Sequence, residues 1–223
     1  MASGADKKDS AGQRWRFPRG TAALPAPLMG EIQCARILEA TCVAIAEEGG
    51  YANTTVTDIL DRAGMSNKTF YEHFDNKDAC VVAAFRVYGD RLAAELASAW
   101  PDPAPWPERV RATLAALLAF GEQAPSPLRF LLLDAQTAGS VLRVEQLRAT
   151  ERLAEALREG RAADERAVDL PPHTEEMLLA ALAWRVGRAL LDAEPLEPLE
   201  PELVEFTLVP YLGAAAARRF ARP

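Results

Sequence analysis

The run Thr54-Thr55-Val56-Thr57-Asp58-Ile59-Leu60-Asp61-Arg62-Ala63-Gly64-Met65-Ser66-Asn67-Lys68-Thr69-Phe70-Tyr71-Glu72-His73-Phe74 decides how this chain is read. Thr55, with Asp58 three residues on, has the spacing of a capping pair and opens a short helix through Val56, Ile59 and Leu60. Gly64 ends that helix, because the left-handed closing turn is cheapest for glycine. Ser66 then caps a second short helix in which Phe70 and Phe74, four residues apart, point the same way. Two helices of about two turns joined by Ala63–Ser66 form a helix-turn-helix, whose second member protrudes far enough to enter a DNA major groove. Phe70 and Phe74 should pack inward against Leu60 and Ile45. That leaves Asn67, Lys68, Thr69, Tyr71 and His73 turned outward or sideways. Asn and Lys hydrogen-bond base edges, whereas Tyr and Lys suit phosphate oxygens.

Upstream, Cys34, Leu38, Cys42 and Ile45 recur at helical steps and predict a helix that ends at Gly49-Gly50. Residues 1–28 show no apolar period and read as a flexible basic arm, with five basic residues against two acidic ones. Within it Arg14, Arg16 and Arg19 alternate with Trp15 and Phe17. The arm is either a minor-groove contact or a solubilising tail. Downstream, Asp75 is expected to cap a long helix that runs to about Trp100, where the Pro101–Pro107 stretch must break it. Further helices are expected near 108–123, 127–138, 140–163, 173–193 and 201–220.

Composition agrees. The 223 residues hold 43 alanines and only four isoleucines, all of them within the first 60 positions. Such a bias toward helix formers predicts an all-α fold: a three-helix helix-turn-helix module followed by a helical bundle. Three cysteines argue against a disulfide framework, and Cys34 and Cys42 read as small core hydrophobes. No apolar run is long enough for a membrane span, and the first 20 residues lack the apolar stretch of a secretory signal, so a cytoplasmic location is expected.

The stretch from about 31 to 80 resembles the tetracycline-repressor (TetR/AcrR) family of bacterial transcriptional regulators. The resemblance is carried by Ile37-Leu38-Glu39-Ala40, Thr54-Thr55-Val56, Ala63-Gly64-Met65-Ser66, Thr69-Phe70-Tyr71-Glu72-His73-Phe74 and Lys77-Asp78. It implies a homodimer with a DNA-binding module over 29–80 and a ligand-binding and dimerisation domain over 81–223. It also implies phosphate contacts from Tyr71 and Lys77, base contacts near Asn67, Lys68 and Thr69, and a backbone-side place for His73. Thr55 and Ser66, at the two helix starts, complete the candidate DNA-binding set. Glu47–Tyr51 is one residue longer than the family pattern, which displaces Thr54 and Thr55.

Electrostatics pull the other way. Residues 31–80 hold nine acids against four bases, a thin supply for neutralising phosphates. Lys68 and Lys77 are the module's only lysines. Lys77 stands in the first turn of its helix, where the dipole disfavours a cation, a placement that an external phosphate would explain.

The C-terminal part carries no comparably sharp motif. Phe85, Tyr88, Leu117, Phe120, Leu132, Met177 and Trp184 are apolar at helical spacing, and the family resemblance makes them candidates for an effector cavity. The effector would be a small hydrophobic or aromatic molecule. Ala180, Ala183, Gly187, Gly213 and Ala217 place small residues along the last two helices and predict a close-packed homodimer seam. No cofactor is expected. Nor is a metal site, since His73 and His173 lie far apart in sequence. With no nucleophile–base pair visible, an enzyme is not expected. The expected function is therefore a repressor released from a palindromic double-stranded DNA operator by that effector. A helical small-molecule-binding or enzymatic protein with a vestigial DNA module is the alternative.

Overall fold

The computed structural model describes residues 26–100, 103–162 and 164–222, and among these all regular structure is helical. The arm expected over 1–28 lies outside the described residues as far as position 25, and its last residues already belong to α1 (Ala26–Glu47). α2 (Val56–Ala63) starts where expected. The Thr55 hydroxyl accepts from the Asp58 backbone N–H at 3.2 Å, and the Asp58 carboxylate accepts from that of Thr55 at 2.7 Å. Gly64 closes α2 at φ 62°. α3 (Asn67–His73) is capped by Ser66, whose hydroxyl accepts from the Thr69 N–H at 3.2 Å.

α4 (Lys77–Ser98) is capped one residue later than expected. Asn76 in extended conformation, not Asp75, reaches the Ala79 N–H at 2.9 Å. α5 (Trp106–Gln123) follows the proline stretch. The helix expected over 127–138 is instead α6 (Pro125–Leu132) followed by a 3-10 segment, Asp134–Val141, interrupted at Gly139 (φ 53°, ψ −119°). After α7 (Arg143–Arg158) and α8 (Thr174–Leu191), the helix expected over 201–220 is divided into α9 (Glu200–Leu212) and α10 (Ala214–Ala221). Gly213, at φ 76°, makes that break, whereas Pro210 is tolerated inside α9.

Two cores organise these helices. The C-terminal one joins the end of α4 with α5, α6, α8, α9 and α10 around Phe120, Leu128, Val186, Leu208 and Tyr211. The N-terminal one contains Ile37, Ile45, Ile59, Leu60, Phe70, Phe74 and Phe85, and also Phe130, Ala135, Ala138 and Leu142. α6 and the 3-10 segment thus pack behind the module, α6 against α1 and α4 and the 3-10 segment against α4. Phe85 and Phe130 meet edge to face with ring centres 6.3 Å apart.

Candidate nucleic-acid interface

Phe70 and Phe74 face inward as the spacing requires, with Phe70 fully buried. The start and outer flank of α3 are open. Ser66, Asn67 and Lys68 are exposed, and Tyr71 keeps 59% of its surface in solvent. Thr69 and His73 are half-buried at the flanks. The Thr69 hydroxyl sits 3.1 Å from that of Ser66, and His73 packs beside Gly30 near the start of α1. Thr55 is exposed, but its hydroxyl is engaged with the Asp58 carboxylate at 2.6 Å. The structure therefore gathers Ser66, Asn67, Lys68 and Tyr71 on one outward face, with Thr69 and His73 beside it. Such a face presents amide, ammonium and phenol groups to a groove and its phosphates.

Lys77 has partners within the chain that its sequence position does not announce. Its ammonium is half-buried and donates to the carbonyl oxygens of Tyr51 (2.9 Å) and Thr54 (2.8 Å), while lying 3.9 Å from the centre of the Tyr51 ring. Two of its three N–H donors are therefore committed to the α1–α2 loop. Two carbonyls and an aromatic face already offset its unfavourable place at a helix start, so no external phosphate is needed to explain it. Tyr51 in turn donates its hydroxyl to the Asp78 carboxylate, and burial together with that carboxylate pushes the phenol up to about 12.

The other bases of the module are engaged too. Arg62 donates to Glu47 and Glu48, each at 2.8 Å, and Arg36 to the Ala63 carbonyl at 2.6 Å. Lys68, with 87% of its side chain in solvent, faces Glu72 only loosely at 3.8 Å. Cys80 is buried and beside Thr41; burial pushes its thiol up to about 11, the direction of an inert thiol. Tyr51 and, from the distant 3-10 segment, Thr137 belong to this neighbourhood, and sequence reasoning missed both. A loop tyrosine after two glycines carries little signal, and Thr137 lies 86 residues away.

The effector candidates are not brought together. Phe120 is buried in the C-terminal core, with Leu117 and Leu132 packed at its edge, whereas Phe85 and Tyr88 belong to the N-terminal core. Met177 (59% exposed) and Trp184 (63%) point outward, correcting their assignment to a cavity. Seven residues apart, they share the outer face of α8 with Leu191, while Leu178, Leu182, Val186 and Ala189 form its inner face. Of the expected small-residue seam, Gly187 and Ala217 are turned inward, whereas Ala180 is exposed and Ala183 half-buried on α8. A Cβ on Gly187 would meet Leu133 of the same chain at 2.6 Å, and Ala217 is buried in its own core. An open hollow of about 710 Å³ lies along α4 and Val141, and another of about 450 Å³ is lined by Ala94, Glu95, Ser98, Ala99, Ala116 and Ala119. None of the seven candidates lines either one. Among the described residues no three His, Cys, Asp or Glu side chains are grouped to hold a metal ion, and no helix is long and apolar enough to cross a membrane.

Residues 37–84 match the family model of bacterial regulatory proteins of the tetR family. Among solved structures, the chain is similar to the fatty acid degradation regulator FadR of Bacillus halodurans. The two are 19% identical over 81% of this chain and 95% of that one, with a TM-score of 0.67. FadR of Bacillus subtilis, solved in complex with stearoyl-CoA, is 16% identical over 80% of this chain and 98% of its own, with a TM-score of 0.62. A TetR-family regulator of Marinobacter aquaeolei VT8 is 17% identical over 86% and 97%, with a TM-score of 0.64. At these identities the structural likeness concerns the fold. No curated protein matches the chain.

Proposed function

We infer that this TetR-type transcriptional regulator, whose residues 37–84 match the tetR family model, acts as a homodimeric repressor in the cytoplasm, with residues 29–80 as its DNA-binding module. Two copies of α3 read a palindromic operator, and a small hydrophobic effector in the C-terminal domain releases them. The observation that carries the DNA-binding part is the exposure of Ser66, Asn67, Lys68 and Tyr71 at the start and outer flank of α3, while Phe70 and Phe74 are buried.

Dimerisation is supported by the outer face of α8 and α9. Met177, Trp184, Leu191 and Phe206 are large apolar side chains left in solvent there, the pattern of a surface that a second copy covers. The effector class is supported by the apolar C-terminal core and by the stearoyl-CoA bound to the Bacillus subtilis protein of the same fold. Thr113 Oγ1 on α5 and Gln146 Nε2 on α7 are buried without a protein partner and offer polar anchors. Release is a population shift, in which the effector favours a state whose two α3 helices no longer match successive major grooves.

Selection of bound duplexes from a random DNA pool, followed by retention at two salt concentrations, tests this reading. Enrichment of a palindrome with salt-sensitive affinity supports it, and retention of no duplex at low salt refutes it.

A further inference from the structure

We propose that Thr137 is a positioning residue through which the C-terminal domain holds the entrance of the helix-turn-helix. The Thr137 hydroxyl accepts the Tyr51 backbone N–H at 2.8 Å and donates to the Asp134 carbonyl at 2.6 Å. Although Thr137 is exposed, its donor and an acceptor site are both used within the protein. It reaches the loop because position 50 is glycine. A Cβ there would lie 3.2 Å from the Thr137 side chain, and the Gly50 backbone at φ 125° favours glycine in any case.

From Tyr51 the connection runs straight into the DNA module. The Tyr51 carbonyl and the Thr54 carbonyl share the Lys77 ammonium, and Thr54 precedes the Thr55 cap of α2. A second strut runs alongside. Arg129 of α6 donates to the Ala46 carbonyl in the last turn of α1 at 3.3 Å and pairs with Asp134 at 3.2 Å. The α6–3-10 unit therefore holds the α1–α2 connection at its start and at its middle. Gly139, two residues after Thr137, breaks the helical geometry of the segment (φ 53°, ψ −119°). A shift of this unit by an occupant of the C-terminal domain changes the seat of α2, and through α2 the presentation of α3.

The inference rests on the DNA-binding reading for its consequence, but its mechanical part can be measured without DNA. Amide hydrogen exchange is followed in the full chain for the wild type, Thr137→Val and Thr137→Ser, together with affinity for a duplex recovered by selection. Valine keeps the shape and removes the hydroxyl, whereas serine restores it. The expected result is exchange about three- to tenfold faster from Tyr51 through α2 in Thr137→Val, the factor that one neutral hydrogen bond supplies. Duplex affinity should fall by a similar factor, and Thr137→Ser should behave as wild type in both. Unchanged exchange in Thr137→Val overturns the proposal, and so does faster exchange with unchanged affinity. If the wild type retains no duplex, the DNA-binding reading fails and the exchange result alone decides whether the strut exists.

Discussion

The Lys77 ammonium lies 3.9 Å from the centre of the Tyr51 ring, with the Tyr51 carbonyl 2.9 Å away on the same loop. One side chain thus binds the ring and the backbone of a residue 26 positions earlier, and ties the start of α4 to the entry of α2. Lys77→Met keeps the apolar stem and removes the charge. Hydrogen bonds from a charged donor contribute about 1.5–3 kcal/mol each, and this site is half in solvent, so about 2 kcal/mol in total is expected. The melting temperature should fall by roughly 4–8 °C, and duplex affinity should fall with it. A pure phosphate contact predicts something different: unchanged melting and a salt slope smaller by about 1 per subunit. Thermal melts and salt titrations of the one variant decide between them.

Asn67 and Lys68 are the side chains most free to reach base edges. Asn67→Ala and Lys68→Ala should each relax preference at particular base pairs by about 1–3 kcal/mol without lowering the melting temperature. Tyr71→Phe should instead weaken all duplexes about equally, because its exposed hydroxyl suits a phosphate. Binding profiles over a library of single-base operator variants separate the two patterns. A uniform loss from Asn67→Ala would remove it from the base-reading set.

The outer face of α8 makes a sharper dimer test than its small residues do. Trp184→Glu places a charge in the middle of the exposed stripe formed with Met177 and Leu191, so the protein should shift to monomer in sedimentation at micromolar concentration while its melting stays close to that of the monomeric fold. Gly187→Leu should act within one chain, because the added side chain drives into Leu133. Overpacking of that kind costs about 1–3 kcal/mol. A Trp184→Glu protein that sediments as wild type would move the interface elsewhere.

The helix-turn-helix was legible because its signals are local. Thr55 with Asp58, Gly64 and Ser66 each fix a helix end within four residues, and the spacing of Phe70 and Phe74 sets which way α3 faces. What the sequence hid depends on contacts distant along the chain. Nothing near Thr137 announces that its hydroxyl meets Tyr51, and nothing near Lys77 shows that two carbonyls wait 23 and 26 residues upstream. Met177 and Trp184 show why apolar residues at helical spacing define a face without saying which side is the core. Leu178, Leu182 and Val186 form an equally regular face one residue on, and that one is buried. Gly187 looked like a seam residue for the same reason, since a small side chain permits close approach to either neighbour.

Glu175 provides the pH-dependent part of the stability. Only 1% exposed in the first turn of α8, it accepts two hydrogen bonds from Arg161, at 2.8 and 2.9 Å, and one from the Tyr211 hydroxyl at 3.1 Å. Arg161 also donates to the Leu170 and Pro171 carbonyls, so the cluster fastens the turn before α8 to α9. Burial alone would raise the Glu175 carboxyl, but the Arg161 guanidinium, the residue's own backbone N–H and Tyr211 outweigh it and hold the group below its ordinary value. A carboxyl depressed in the folded state contributes its stability above the unfolded value of about 4.3, and loses it as pH falls through the folded value. Glu175→Gln removes the charge and leaves Arg161 without its counter-ion. Breaking a buried pair costs about 3–5 kcal/mol, and with Arg161 partly in solvent about 3 kcal/mol is expected, or roughly 6–12 °C in melting temperature at neutral pH. The gap between wild type and Glu175→Gln should narrow steadily as the pH is lowered from about 5 to below 3, because the wild type progressively loses what the variant already lacks. Melting curves of both proteins across that range are the measurement. Parallel curves would mean that the carboxyl is not depressed by folding and that the cluster stabilises by shape alone.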